Sequence, residues 1–138
     1  MKIIRCLIFL LAFLCQFNAV PAFGLGRSVN SFTNPLPAPR LIYPISDEID
    51  ITGKPSLEFR WGMDYAVWVR EYEFKLYKGY QTYADNLILK ETVSGNYSLE
   101  IDTAKFQDGQ VYTWTLKQIG MDGQKSDFAY DSFRIIKK

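Results

Sequence analysis

From residue 40 onward, apolar and polar residues alternate with a period of two, in short runs separated by turn residues. That is the pattern of half-buried strands and not of helices. Leu57, Phe59 and Trp61 occupy one parity of residues 56–61, and Ser56, Glu58 and Arg60 the other. In residues 69–78, Tyr72, Phe74 and Leu76 oppose Glu71, Glu73 and Lys75. Tyr97, Leu99 and Ile101 alternate with Ser98, Glu100 and Asp102, and Tyr112, Trp114 and Leu116 with Thr113, Thr115 and Lys117. The last run, 130–136, turns Phe133 and Ile135 inward, and residues 87–93 are apolar and β-branched enough for a strand. Residues 40–44 open the series with Pro44 suited to an edge, and residues 48–52 read as a continuation of that edge. Gly53-Lys54-Pro55, Ser94-Gly95-Asn96 and Asp108-Gly109 supply turns. No run carries a helical period, and no internal repeat is visible. Seven strands at a spacing of roughly ten residues predict an all-β domain of two antiparallel sheets packed face to face.

The first 39 residues follow a different pattern. Lys2 and Arg5 precede an unbroken apolar run from Cys6 to Cys15, and a small-residue exit follows at Val20-Pro21-Ala22 or Ala22-Phe23-Gly24. Ten apolar residues in a helix reach about 15 Å, half the hydrocarbon thickness of a bilayer. Residues 1–24 therefore read as a removable export signal, with a retained anchor and a lipid on Cys15 as the alternatives. Residues 25–39 hold Pro35, Pro37 and Pro39 in alternation, which predicts an extended, flexible leader before a single domain at 40–138.

Composition then narrows the chemistry. Both cysteines lie in the signal, so the exported chain has no disulfide of its own and depends on packing. Without Lys2 and Arg5 the 16 basic residues fall to 14 against 15 acidic ones, a net of −1. Nucleic acid and anionic membrane surfaces call for concentrated positive charge, so neither is an expected partner. Membrane contact is expected only through the signal before cleavage. The chain has no histidine. A histidine triad, thiol catalysis and the usual zinc sites are thereby excluded, and no cofactor is expected.

Several residues resemble the fibronectin type III family. Trp61 stands where that family buries its strand B tryptophan, and Tyr72-Glu73-Phe74-Lys75-Leu76 is similar to its strand C. Phe106, Gly109, Tyr112, Trp114 and Leu116 follow the order of its tyrosine corner and strand F. The resemblance runs from about residue 39 to 136 and implies a seven-stranded immunoglobulin-like sandwich. It also implies a core around Trp61, Tyr72, Phe74, Tyr112 and Trp114, and a corner hydroxyl bonded to upstream backbone. Asp108 replaces the family's usual proline, and residues 120–126 lack the Arg-Gly-Asp of some members. Membership implies adhesion, spacing or recognition and does not choose among them.

Exposed aromatics are the remaining candidates. Tyr65 and Trp68 fall in the connection before the 69–78 strand, and Tyr80 and Tyr83 after it, near Tyr77. Loop rings stack on sugars or anchor a protein partner; the competing reading makes Trp68 a lid on the core and the tyrosines covers for sheet edges. The acidic groups Asp47, Glu48, Asp50 and Asp122, Asp127 lack calcium-loop spacing. Glu71 and Glu73 share a face at about 7 Å, but mid-strand beside Lys75 they are poorly placed for acid–base work. Asn96-Tyr97-Ser98 is a glycosylation sequon wherever the host glycosylates exported chains. The leading expectation is an exported, non-catalytic module of the periplasm or extracellular space that binds another protein. The alternative is a small carbohydrate-binding module using Tyr65, Trp68 and Tyr80.

Overall fold

The computed structural model of the chain describes residues 36–45, 47–64 and 66–138. The expected export signal and the expected leader up to residue 35 lie outside the described residues, as does Tyr65. Eight strands follow in chain order: β1 Leu41–Tyr43, β2 Glu48–Asp50, β3 Ser56–Trp61, β4 Val69–Lys78, β5 Leu87–Val93, β6 Ser98–Asp102, β7 Val111–Gly120 and β8 Ala129–Ile136. One sheet has the order β1-β3-β6, the other β2-β8-β7-β4-β5.

The parity seen in the sequence is the parity of burial. Phe59, Phe74, Leu76, Trp114, Leu116 and Ile135 are fully enclosed, and Trp61, Tyr72 and Tyr112 nearly so. Phe59 lies at the centre, with ring centroids 5.1 Å from Phe74 and 5.2 Å from Trp114, both edge-on. Such pairs add about 0.5–1.5 kcal/mol each beyond the area they bury. The corner forms as the resemblance implies: the Gln107 N–H donates to the Tyr112 hydroxyl at 2.9 Å. Where the family has a proline, the Asp108 carboxylate accepts from the Lys137 N–H at 2.7 Å. Gly109, at φ 70°, donates its N–H to the Ile135 carbonyl at 2.8 Å, so the turn is tied to β8.

Two expectations change. The sandwich has eight strands, not seven, and one pair, β2 with β8, is parallel. Residues 48–50 do not extend the first edge; the chain crosses to the other sheet after Tyr43. Pro44 has no N–H for the β1–β3 ladder, so pairing lapses there. The edge of β8 offers free carbonyls and amides, and Arg134 N–H donates to the Asp47 carbonyl at 2.8 Å. The crossing is held from inside, where the Trp114 indole N–H donates to the Pro44 carbonyl at 3.0 Å. Residues ahead of 40 also pack on the sandwich. Leu36 packs against the core, Pro39 is buried, and the Pro37 carbonyl accepts from the Gln118 side-chain amide at 2.6 Å. A buried amide demands a partner, and this backbone supplies it.

Candidate functional site

Strand β4 separates the candidate residues into two groups. Trp68 precedes it, and Tyr80 and Tyr83 follow it. Ten residues at the rise of a strand put about 30 Å between those positions. Trp68 and Tyr80 therefore do not share one platform, whatever the position of Tyr65.

At the start of β4, the connections β3–β4 and β7–β8 meet. The Met121 N–H donates to the Trp68 carbonyl at 3.0 Å, and the Ala66 N–H to the Met63 carbonyl at 3.0 Å. A short 3-10 turn, Ala66–Trp68, leads into the strand. Met63, Val67, Trp68 and Met121 are between 57% and 78% exposed. Arg40 and Asp64 bridge at 2.8 Å beside them, and the Gly62 N–H donates to the Arg40 carbonyl at 2.8 Å. This end of the sandwich thus presents four large apolar side chains from two loops, with an ion pair at its margin. Of the four, only Trp68 was a candidate from the sequence; Met63, Val67 and Met121 are single apolar residues in irregular connections, where no period marks them.

At the far end, residues 79–86 lie over the outer face of the five-stranded sheet. The Thr113 hydroxyl donates to the Gly79 carbonyl at 2.7 Å, which explains why Thr113 is buried on an outward parity. Tyr77 is buried on the same face, whereas Tyr80 and Tyr83 are exposed. The connection divides the face into two shallow depressions. One, of about 250 Å³, is lined by Asp47, Glu48, Tyr80, Ser132 and Arg134, among others. The other, of about 150 Å³, is lined by Glu73, Lys75, Tyr77, Thr82, Thr115, Lys117 and Phe128. Phe128 and Tyr130, both exposed, stand together at 6.1 Å between centroids, and the Lys117 ammonium lies 5.6 Å over the Phe128 ring. Tyr130 was legible as outward from the parity that turns Phe133 and Ile135 inward.

The carboxylates on this face have structural partners. Glu71 bridges Arg70 at 2.9 Å. Glu73 bridges Lys75 at 3.1 Å and Lys90 at 3.3 Å. Burial opposes ionisation of Glu73, but the bonds and charges of Lys75 and Lys90 outweigh it and hold the carboxyl below its ordinary value. A general acid needs the opposite displacement. Among the described residues, no cluster of three or more His, Cys, Asp or Glu is placed to hold a metal ion. Nor is any helix among them long and apolar enough to cross a membrane.

No family model matches the chain, and no curated protein sequence does. Among solved structures it is similar to the fibronectin(III)-like modules of Clostridium thermocellum CbhA, at 12% identity and a TM-score of 0.47 over 72% of this chain and 96% of that one. It is also similar to the superoxide reductase (neelaredoxin) of Ignicoccus hospitalis, at 10% identity and a TM-score of 0.45 over 72% and 80%. A third likeness is to the cohesin module of a Clostridium perfringens family 33 glycoside hydrolase, at 11% identity and 0.40 over 75% and 100%. No residue role is carried over from any of them.

Proposed function

We propose that this β-sandwich is an exported, non-catalytic module that binds another protein through the end of the sandwich built by the β3–β4 and β7–β8 connections. The observation that carries the reading is the exposure of Met63, Val67, Trp68 and Met121 on two loops joined by a backbone hydrogen bond. Large apolar side chains gathered at one place on a soluble domain mark interaction surfaces, while single ones do not. Tryptophan and methionine are enriched at protein interfaces, and an apolar centre with a charged margin is the usual anatomy of one. Export rests on the N-terminal pattern of residues 1–24. The glycan reading built on Tyr65, Trp68 and Tyr80 acting together loses its support, because Trp68 and Tyr80 stand at opposite ends of β4.

The test is photo-crosslinking in the host cell envelope, with a photoreactive side chain at position 67 and a control at the exposed Glu91 on β5. A discrete protein adduct from position 67, absent from position 91 and lost on Trp68→Ala, is expected. Equal labelling from both positions, or adducts that survive Trp68→Ala, would sink the proposal.

A further inference from the structure

The outer face of the five-stranded sheet combines charge and rings in a way that the protein-binding end does not use. On this face the register places Lys90 opposite Lys75, Lys75 opposite Thr115, and Thr115 opposite Tyr130. These four residues form one row across β5, β4, β7 and β8. With strands about 4.8 Å apart the row spans about 14 Å. One step along the strands, Glu73 lies opposite Lys117. Three lysines therefore occupy positions neighbouring Glu73 in the sheet. Two of them, Lys75 and Lys90, share the charge of Glu73, and the third, Lys117, lies over the Phe128 ring. The patch carries a net charge of +2, from Lys75, Lys90 and Lys117 against Glu73.

Two like charges placed side by side, such as Lys75 and Lys90, are unfavourable unless something negative lies between or above them. Glu73, on the same face, bridges both and supplies part of that charge. The depression above is lined by the hydroxyl-bearing Thr82 and Thr115, and flanked by Phe128 and Tyr130. Tyr130 is 66% exposed, with its ring beside the row. Exposed rings offer flat apolar faces, hydroxyls and ammonium groups offer directed polar contacts, and the floor is shallow enough for a chain lying across it.

We propose that this face binds an acidic polysaccharide. Its carboxylates are held by Lys75, Lys90 and Lys117, and its sugar rings rest on Tyr130 and Phe128. A nucleic acid is a poorer fit, since its affinity scales with many phosphate contacts and this face offers only three ammonium groups. The site is separate from the Trp68 end, and the proposal does not rest on the protein-binding reading.

The experiment is affinity electrophoresis of the full chain in gels cast with polygalacturonate, with dextran as the neutral polymer and polyglutamate as the acidic polypeptide. Polygalacturonate is expected to retard the parent and dextran is not, and added salt should weaken the retardation. Lys117→Gln and Tyr130→Ala are each expected to weaken binding at least tenfold, while Trp68→Ala leaves it unchanged. Thermal melts of each variant report folding, and Lys90→Gln, on an exposed edge strand, provides the charge test if Tyr130→Ala fails to fold. No retardation by polygalacturonate overturns the proposal. So does equal retardation by dextran, or by polyglutamate, which would mean sugar or charge alone. Retention that survives Lys117→Gln or Lys90→Gln overturns it as well.

Discussion

Trp114 and Trp68 are the same side chain in two physical situations. Trp114 is fully buried, with Phe59 and Phe74 at 5.2 and 5.8 Å and its indole N–H bonded to the Pro44 carbonyl. Trp68 is 57% exposed, on a turn whose backbone carbonyl holds the neighbouring loop. Trp114 lies on the inward parity of a ten-residue strand; Trp68 immediately precedes one. Within a strand the pleat dictates which face a ring takes, and burial follows from the sheet it belongs to. In a loop no such rule operates, so an apolar ring is left to function or to local packing. The aromatic content of this chain is thus divided between a core that holds the fold and surfaces that do not.

The comparison breaks most sharply at the core. Trp114→Ala is expected to cost about 3–5 kcal/mol, a large share of a small domain's stability. It removes a ring packed on Phe59 and Phe74 and the bond that holds the crossing between sheets. A urea midpoint close to that of the parent would mean that Trp114 is no more essential than a surface ring.

Two tyrosines test the role of the hydroxyl inside that core. Tyr112→Phe should cost about 1–3 kcal/mol, because the Gln107 N–H loses its acceptor. Tyr72→Phe should be close to neutral at pH 7, since among the described residues its buried hydroxyl has no hydrogen-bond partner. Burial, with Tyr97 and Asp64 adding to it, pushes the Tyr72 phenol from its ordinary 10.0 up to about 12. The unfolded chain therefore releases this proton first as the pH rises. The stability associated with the neutral phenol is complete below pH 10 and is lost progressively between 10 and about 12. Chemical denaturation across that window should show a steeper decline in the parent than in Tyr72→Phe. Parallel declines would show that Tyr72 ionises as readily in the fold as outside it.

The smallest effect is expected at the loop end. Trp68→Ala should leave stability within about 0.5 kcal/mol, the usual range for surface changes. Calorimetry of that variant beside Trp114→Ala gives the contrast directly. A loss at Trp68 comparable to that at Trp114 would make it a structural lid after all.

Most of the strands were legible because alternation is a local signal. Leu57, Phe59 and Trp61 announce β3 without reference to anything beyond the strand, and the spacing from Phe106 to Tyr112 announced the corner. The second strand was not legible. Whether residues 48–50 pair with β3's sheet or with β8 depends on where β8 lies, more than eighty residues later in the chain. The site residues divide in the same way. Tyr130 could be assigned outward from parity, yet its position in a row with Thr115, Lys75 and Lys90 depends on the register of three neighbouring strands.

The amino-acid sequence by itself determined the class of the fold, the inward rings and the absence of histidine chemistry, because each depends on residue type or on period along one strand. Only the tertiary structure decided which distant residues meet. It joined Met121 to Trp68 through a backbone bond, parted Trp68 from Tyr80 by the length of β4, and placed Lys90 against Glu73. Those decisions depend on strand order and register, which arise from the whole core closing at once and are not written at any single position.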